Sequence, residues 1–341
     1  MSDAFSWPRV IGSLLAGVSL DEEAAAAAMT EIMEGAATPA QIAGFAVALR
    51  AKGETSEEVV GLVRTMRRFA ARVVVAGELL DTCGTGGDRT GTFNVSTAAA
   101  FVCAGAGAKV AKHGNRAASS RCGSADVLEA LGVRIDVPPE GVATCIEAAG
   151  MGFCFAPLFH PALRHAGGPR RELGVATVFN FLGPLTNPAG ATRQALGVSD
   201  PRMVDVMVET LGTLGSAHVL AFHGHQGLDE LATSGPSQVV ELRAGEISRW
   251  MLDPAALGLP PAPLEALRGG SAPENAAAVK ALLEGERGPR RDVVALNAGA
   301  ALVAGGLASD VAEGLVQAEE ALDSGAAAGV LERLLEVSNS L

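Results

Sequence analysis

From about Val73 onward, short β-prone runs alternate with helical patterns, and no other feature limits the fold of this 341-residue chain so strongly. The runs VVV and LLDTCG precede a helical pattern from about Ser96, after which AKVAK, ADVLEALG, VRIDV, PEGVATCIEAAG and FCFAP follow in turn. Farther on come QALGV, a helix through MVDVMVETLGTLG and the strand AHVLAFHG. Parallel strands need long crossovers, and helices of about 10–15 residues supply them. The pattern therefore predicts an α/β fold with a central, mostly parallel sheet covered by helices. QVVELRAGEISRWML adds a hairpin, and the stretch from Asn275 to Leu341 is again helical.

Residues 1–72 carry no such alternation. Apolar residues recur there at helical spacing, Thr38-Pro39 forms an N-cap followed by proline at the first helical position, and Gly53 precedes the cap candidates Thr55 and Ser56. The expectation is a small N-terminal α-helical bundle domain over 1–72 and a larger α/β domain over 73–341. The run Val10–Leu20 is apolar after Arg9, but it is short and meets Asp21-Glu22-Glu23, which argues against an export signal. Nothing approaches the roughly 18 apolar residues of a membrane helix. Cys83, Cys103, Cys122, Cys145 and Cys154 form no CxxC pair, as expected of reduced thiols in the cytoplasm. A net charge of −12, with 4% aromatic residues and no tyrosine, speaks against nucleic-acid or anionic-lipid adhesion. An acidic protein can still hold a phosphorylated metabolite locally.

Three strand-end loops have the chemistry for that. Asp81–Asn94 reads DTCGTGGDRTGTFN, too poor in lysine for a Walker loop and wrongly spaced for a dinucleotide fingerprint. It continues through Thr92, Asn94, Ser96 and Thr97 into a helix start, where free amides and the dipole favour an anion. KHGNRAASSRCGSAD, Lys112–Asp126, offers Lys112 and Arg116 as charges and Ser119, Ser120 and Ser124 as donors, Ser124 also as a helix N-cap. Asp229-Glu230 follow the strand AHVLAFHG and suit Mg²⁺, which takes one or two carboxylates plus substrate oxygens. His223 and His225 are too few for zinc and stay loop residues. Arg170-Arg171 in HAGGPRRELG could meet a carboxylate. No Ser–His–Asp grouping or GxSxG elbow is present.

Together these stretches resemble the anthranilate phosphoribosyltransferase family. The matching motifs are GTGGD (Gly84–Asp88), NVST (Asn94–Thr97), KHGNRAASS (Lys112–Ser120), GSADVLEALG (Gly123–Gly132), RRELGVATVFNFLGPLTNP (Arg170–Pro188) and GLDE (Gly227–Glu230). The N-terminal TPAQIAGFAVALRAKGET is similar too, so the likeness spans nearly the whole chain; GTGGD alone is shared with pyrimidine nucleoside phosphorylases. Cys122 stands where a small hydroxyl or glycine is expected, and Arg89-Thr90 fill a variable part of the first loop.

The resemblance implies transfer of 5-phosphoribosyl from phosphoribosyl pyrophosphate to the amino group of anthranilate, with release of pyrophosphate, in tryptophan biosynthesis. It implies two Mg²⁺ per subunit, a homodimer through the helical domain, separate anthranilate synthase subunits as possible partners, and completion of that domain by helices within about 160–190. It places phosphoribosyl pyrophosphate on Gly84, Gly87, Asp88, Thr92, Asn94, Val95, Ser96, Thr97, Lys112, His113, Gly114, Asn115, Arg116, Ala117, Ala118, Ser119, Ser120 and Ser124. Gly84, Asn115 and Arg170 match anthranilate contacts; Ser96, Asp229 and Glu230 match metal ligands. No covalent nucleophile is implied, and Lys112, His113 and Asn115 serve positioning. Two alternatives stand: a pyrimidine nucleoside phosphorylase of the same fold, which Asn115, Arg170 and Asp229-Glu230 speak against, and a non-catalytic, nucleic-acid-binding relative, which the intact motifs and acidic charge speak against.

Overall fold

The computed structural model describes residues 5–117 and 121–341; Ala118, Ser119 and Ser120 of the second loop lie outside them. The chain begins with α1 (Trp7–Leu15), α2 (Glu22–Met33), α3 (Pro39–Lys52) and α4 (Ser56–Phe69). Thr38 and Thr55 each close a capping box, with Gln41 and Glu58. Glu58 then becomes the polar hub of the bundle. Fully buried, it accepts from the Leu20 amide at 2.9 Å and from Lys52 Nζ at 2.9 Å, so its burial is matched by partners. The apolar Val10–Leu20 run falls in α1 and the turn after it, where Val10 and Leu14 enter the bundle core.

The α/β part follows as β1 (Leu80–Gly84), α5 (Val95–Gly105), β2 (Val110–Gly114), α6 (Ser124–Ala130), α7 (Pro139–Ala149) and β3 (Met151–Phe155). Short α8 (Ala156–Phe159), α9 (Arg164–Leu173) and α10 (Phe179–Leu182) intervene before β4 (Arg193–Gly197), α11 (Pro201–Thr213), β5 (His218–His223) and the hairpin β6 (Ser237–Arg243) and β7 (Glu246–Leu252). The chain ends in α12 (Ala272–Leu283), α13 (Pro289–Ala304), α14 (Val311–Asp323) and α15 (Ala326–Ser340). The seven-stranded sheet has the order β3-β2-β1-β4-β5-β6-β7. β1 to β5 are parallel, and β6 and β7 are antiparallel. The chain steps outward from β1 to β3, then returns to the other side of β1 with β4. Crossovers diverge there, leaving a crevice at the carboxyl ends of β1 and β4, where open α/β sheets bind ligands.

Strand periodicity divides β4 and β5 between two cores. Ala195, Leu220 and Phe222 face α5, α6 and α12–α15, while Leu196, Val219 and Ala221 face α11 and the N-terminal helices. The 156–185 segment sits with the helices: α9 packs on α3 and α2, and α10 on α4. Arg67 on α4 donates twice to the Leu185 carbonyl, at 3.0 and 2.7 Å.

Two expected strands are absent. Val73–Val75 joins no ladder, and Val74 is exposed. Val133, Ile135 and Val137 alternate inward as a strand would, yet form none. Their backbone lies beside α15 instead, with Arg134 N–H donating to Ser338 Oγ at 3.3 Å. Both segments have β propensity but no strand to pair with, and propensity is realised only in a ladder. Ser124 is the first residue of α6 rather than its cap; Gly123 takes the cap position, and its amide donates to Asp126 Oδ2 at 2.8 Å.

Candidate active site

The acidic pair lies across the ends of three strands: β1 and β4 finish in glycine, and a glycine directly follows β5. A methyl group at Gly84 would overlap the Asp229 carboxylate, one at Gly197 the Asp229 carbonyl, and one at Gly224 the Glu230 carbonyl. Gly84 and Gly197 are register partners across β1 and β4, so the Asp229-Glu230 backbone rests in the switch-point crevice itself. The carboxylates point under the first loop. Asp229 Oδ2 accepts from the Gly86 amide at 2.6 Å, and Glu230 Oε1 from the Ser96 amide at 3.0 Å. The amide at the start of α5, expected free for a phosphate, is thus held by Glu230.

Burial drives both carboxyls upward. Glu230 rises to about 7, with Lys112 and Ser96 opposing the rise. Asp229 is pushed well above its ordinary value by burial, then by Asp88 and Glu230 beside it. This excess of buried negative charge fits a divalent cation, and the hard oxygen donors suit Mg²⁺. Among the described residues no three His, Cys, Asp or Glu side chains form a complete cage. That also fits Mg²⁺, which keeps waters and phosphate oxygens in its shell. Asp88 accepts from the amide and hydroxyl of Thr90, at 3.1 and 2.6 Å, which shapes the loop's turn.

Lys112 stands behind this surface. It is buried, and Nζ donates to the Thr82 carbonyl at 2.6 Å. Burial lowers its pKa, while Asp81, Cys83 and Glu230 act in the opposite direction. The cation expected beside a phosphate is thus withdrawn into the low-dielectric interior. Asp81, raised by burial to about 6, accepts from Asn187 Nδ2 at 2.8 Å and the His113 amide at 3.2 Å. Val95 and Thr97 turn their side chains into the core, leaving only backbone for a ligand.

His113 is not a base in waiting. Its Nδ1 lies 3.1 Å from the Gly183 carbonyl, and its ring meets that of His160 at 5.1 Å. Burial lowers His113 to about 3 and His160 to about 4. The folded state thus refuses protons that the unfolded chain accepts near pH 6.5, so this pair's contribution is present above that pH and lost as pH falls toward 4. A His113→Asn/His160→Asn variant should lose less melting temperature between pH 6.5 and 4 than the parent does. Parallel curves would remove the imidazoles from the acid response.

The second loop is pinned by ion pairs. Arg116 pairs with Asp126 at 3.1 Å and with Glu129, and stacks 5.5 Å from the Phe155 centroid. The hydrogen bonds it donates to Glu129, then Asp126, raise its pKa. Asp126 also accepts from the Ala117 amide at 2.9 Å, and Ser124 Oγ donates to the Asn115 carbonyl at 3.3 Å. Asn115 is exposed, and its Oδ1 accepts from the Arg116 amide at 2.7 Å. Gly114 ends β2, and Thr92 bridges Arg268. Arg170 stands on the helical side, half-buried over Phe179 at 5.7 Å, its guanidinium making no hydrogen bond or ion pair to a described residue. It does not touch Gly84 or Asn115. Burial alone lowers its pKa, leaving a desolvated guanidinium that a planar carboxylate would satisfy.

Residues outside the motifs complete the site. Ser199, after β4, accepts the first loop: its amide donates to Thr85 Oγ1 at 3.0 Å and its hydroxyl to the Gly86 carbonyl at 2.8 Å. Asn297 on α13 clasps both backbone groups of Leu231 at 2.9 Å, fixing the chain just after Glu230. Neither carried a signal, because a lone serine or asparagine gains meaning only from its spatial neighbours. His223 and His225 part company, bonding the Val198 carbonyl at 2.7 Å and Ser234 Oγ at 3.1 Å.

Known proteins share this fold. Residues 8–70 match the model of the glycosyl transferase family helical bundle domain, and residues 76–328 that of the family's a/b domain. Anthranilate phosphoribosyltransferase of Roseiflexus castenholzii is 58% identical over 96% of this chain and 96% of its own. That of Pelotomaculum thermopropionicum is 53% identical over 97% and 96%. The crystal structure of the Thermus thermophilus enzyme superposes with a TM-score of 0.91 at 48% identity, covering 97% of this chain and 99% of that one. The Saccharomyces cerevisiae enzyme in complex with PRPP and Mg gives 0.89 at 28% identity, covering 98% of each. With strand-end glycines, acidic loop and helical bundle all in place, this chain belongs to the anthranilate phosphoribosyltransferase family.

Proposed function

We propose that this chain transfers the 5-phosphoribosyl group of phosphoribosyl pyrophosphate to the amine of anthranilate, releasing pyrophosphate, as a step of tryptophan biosynthesis. The observation that carries this reading is the acidic pair seated on Gly84, Gly197 and Gly224 beneath an amide-rich loop. Its placement supports a magnesium–pyrophosphate site at the switch point. The yeast enzyme's complexes with PRPP and Mg and with 4-fluoroanthranilate add support.

Breaking the C1–pyrophosphate bond builds negative charge on the leaving group. Ser96, Asp229 and Glu230 hold two Mg²⁺ per subunit in this reading, and the bound cations supply the positive charge that the first loop lacks. Backbone and side chains from Gly84, Gly87, Asp88, Thr92 and Asn94–Thr97, with Lys112–Ser120 and Ser124, orient the substrate, and Lys112 contributes its field from behind. Anthranilate's neutral amine needs no strong base, only placement near C1. Gly84, Asn115 and Arg170 supply that placement, and His113 serves positioning rather than acting as a base.

Residues 1–72 and the helices of 160–190 form the helical domain in this reading, and the rest forms the catalytic α/β domain. Exposed Leu15, Val18 and Val47 on the bundle support a homodimer through that domain. The enzyme works in the cytoplasm, with anthranilate synthase subunits as possible partners.

The test is loss of anthranilate fluorescence, dependent on both phosphoribosyl pyrophosphate and Mg²⁺. Phosphorolysis of thymidine or uridine without that loss would overturn the assignment. Arg170→Ala should lower kcat/KM for anthranilate by about 10- to 100-fold, the loss of one charge-assisted contact. Unchanged anthranilate kinetics would remove Arg170 from the site.

A further inference from the structure

The C-terminal helices reach the two phosphate loops through one buried amide. Asn275, in the first turn of α12, is 3% exposed. Its Oδ1 accepts from the Gly270 amide at 2.7 Å, and its Nδ2 donates to Asn94 Oδ1 at 2.9 Å. Asn94 Nδ2 in turn donates to the Cys122 carbonyl at 3.2 Å. A backbone amide can only donate and a carbonyl can only accept, so the ends of this chain set the orientation of both side-chain amides between them.

Asn94 occupies the N-cap position of α5 but makes no side-chain cap. Its amide is directed sideways, joining the first loop to the second. A backbone strap reinforces the same junction. Phe93 N–H donates to the Leu267 carbonyl at 2.9 Å, and Gly269 N–H to the Gly91 carbonyl at 2.8 Å. A methyl at Gly269 would meet Phe93 Cα at 2.8 Å, so strap and loop are in close contact. Asn275 sits where strap, first loop and second loop meet.

We propose that Asn275 is a positioning residue for phosphoribosyl pyrophosphate, holding Asn94 as a link so that the two loops form one preformed anion-binding surface. This rests on the reading of those loops as the phosphoribosyl pyrophosphate site. Preorganisation favours binding because less ordering is left to the ligand. Asn275 acts through Asn94 and touches no substrate itself.

The test compares Asn275→Ala, Asn275→Asp, Asn94→Ala and Asn94→Ala/Asn275→Ala with the full-length wild type. KM for each substrate is measured, with calorimetric titration of phosphoribosyl pyrophosphate and Mg²⁺. Losing the link should raise the KM and Kd for phosphoribosyl pyrophosphate by roughly 5- to 30-fold, with anthranilate KM changed less than about 2-fold. Asn275→Asp keeps the Gly270 bond but not the donor, so it should match Asn275→Ala. The double variant should be no worse than the poorer single one, because both break one chain. Wild-type affinity in Asn275→Asp, additive losses, or equal rises in both KM values with a lowered melting temperature would each overturn the proposal. If the wild type consumes no anthranilate, the assigned reaction fails, while the calorimetric arm still decides the role of Asn275.

Discussion

Replacing Asp229 by Asn and Glu230 by Gln together should lower kcat/KM by about 10³-fold while leaving the protein as stable as its parent, or more so. The activity loss follows from electrostatics: one preorganised group facing developing charge contributes roughly 10²–10³-fold, and in the proposed reaction these two carboxylates hold the countercharge for pyrophosphate. The stability gain has the opposite origin. Glu230 rises from 4.5 to about 7 through burial, and Asp229 is pushed upward by burial and by its acidic neighbours. Ionising them within the fold is costly. For a group whose folded pKa is raised, stability is fully present below the unfolded value and is lost as pH rises through the folded one. The variant's advantage should therefore be absent near pH 4 and largest above pH 7, with Mg²⁺ alone raising the melting temperature of the wild type but not of the variant. Near-normal turnover, or a variant less stable at pH 8, would show that these carboxylates are scaffolding.

Gly197→Ala should disable the same site from beneath. The last residue of β4 pairs with Gly84 on one side and Phe222 on the other, and an added Cβ would overlap the Asp229 carbonyl. That obstacle is backbone, so the acidic loop must shift as a whole. Overpacking of this kind costs about 1–3 kcal/mol, and a displacement near 1 Å at a reacting centre costs about 10²-fold in rate. Gly12→Ala in α1 is the matched control. Nothing lies within 4 Å of its would-be Cβ, so activity should persist and stability should rise by about 0.5–1 kcal/mol. Wild-type kcat/KM in Gly197→Ala would show that the loop has room to spare.

The folding pattern was legible where physics is local. Thr38 and Thr55 announce helix starts because a cap bonds amides two or three residues away. The strands LLDTCG, AKVAK and AHVLAFHG, with the helices between them, placed three polar loops at one sheet edge. Where pairing partners decide the outcome, local reading failed: Val73–Val75 and Val133–Val137 have strand composition but no ladder. Among site residues, Gly84, Ser96, Lys112 and Asp229-Glu230 lie within recognisable motifs. Ser199, Asn275 and Asn297 do not, since each bonds a segment distant along the chain.

By itself the sequence determined the inventory: a parallel sheet, glycine-rich and serine-rich loops at strand ends, an acidic pair after β5, and an arginine pair on the helical side. Its motifs also specified the family. The tertiary structure alone decided how that inventory is deployed. Three glycines at the ends of separate strands make room for one acidic loop, Glu230 takes the Ser96 amide, and Lys112 withdraws onto Thr82. Backbone propensity acts over a few residues, whereas excluded volume and electrostatics act between whatever atoms the fold brings together.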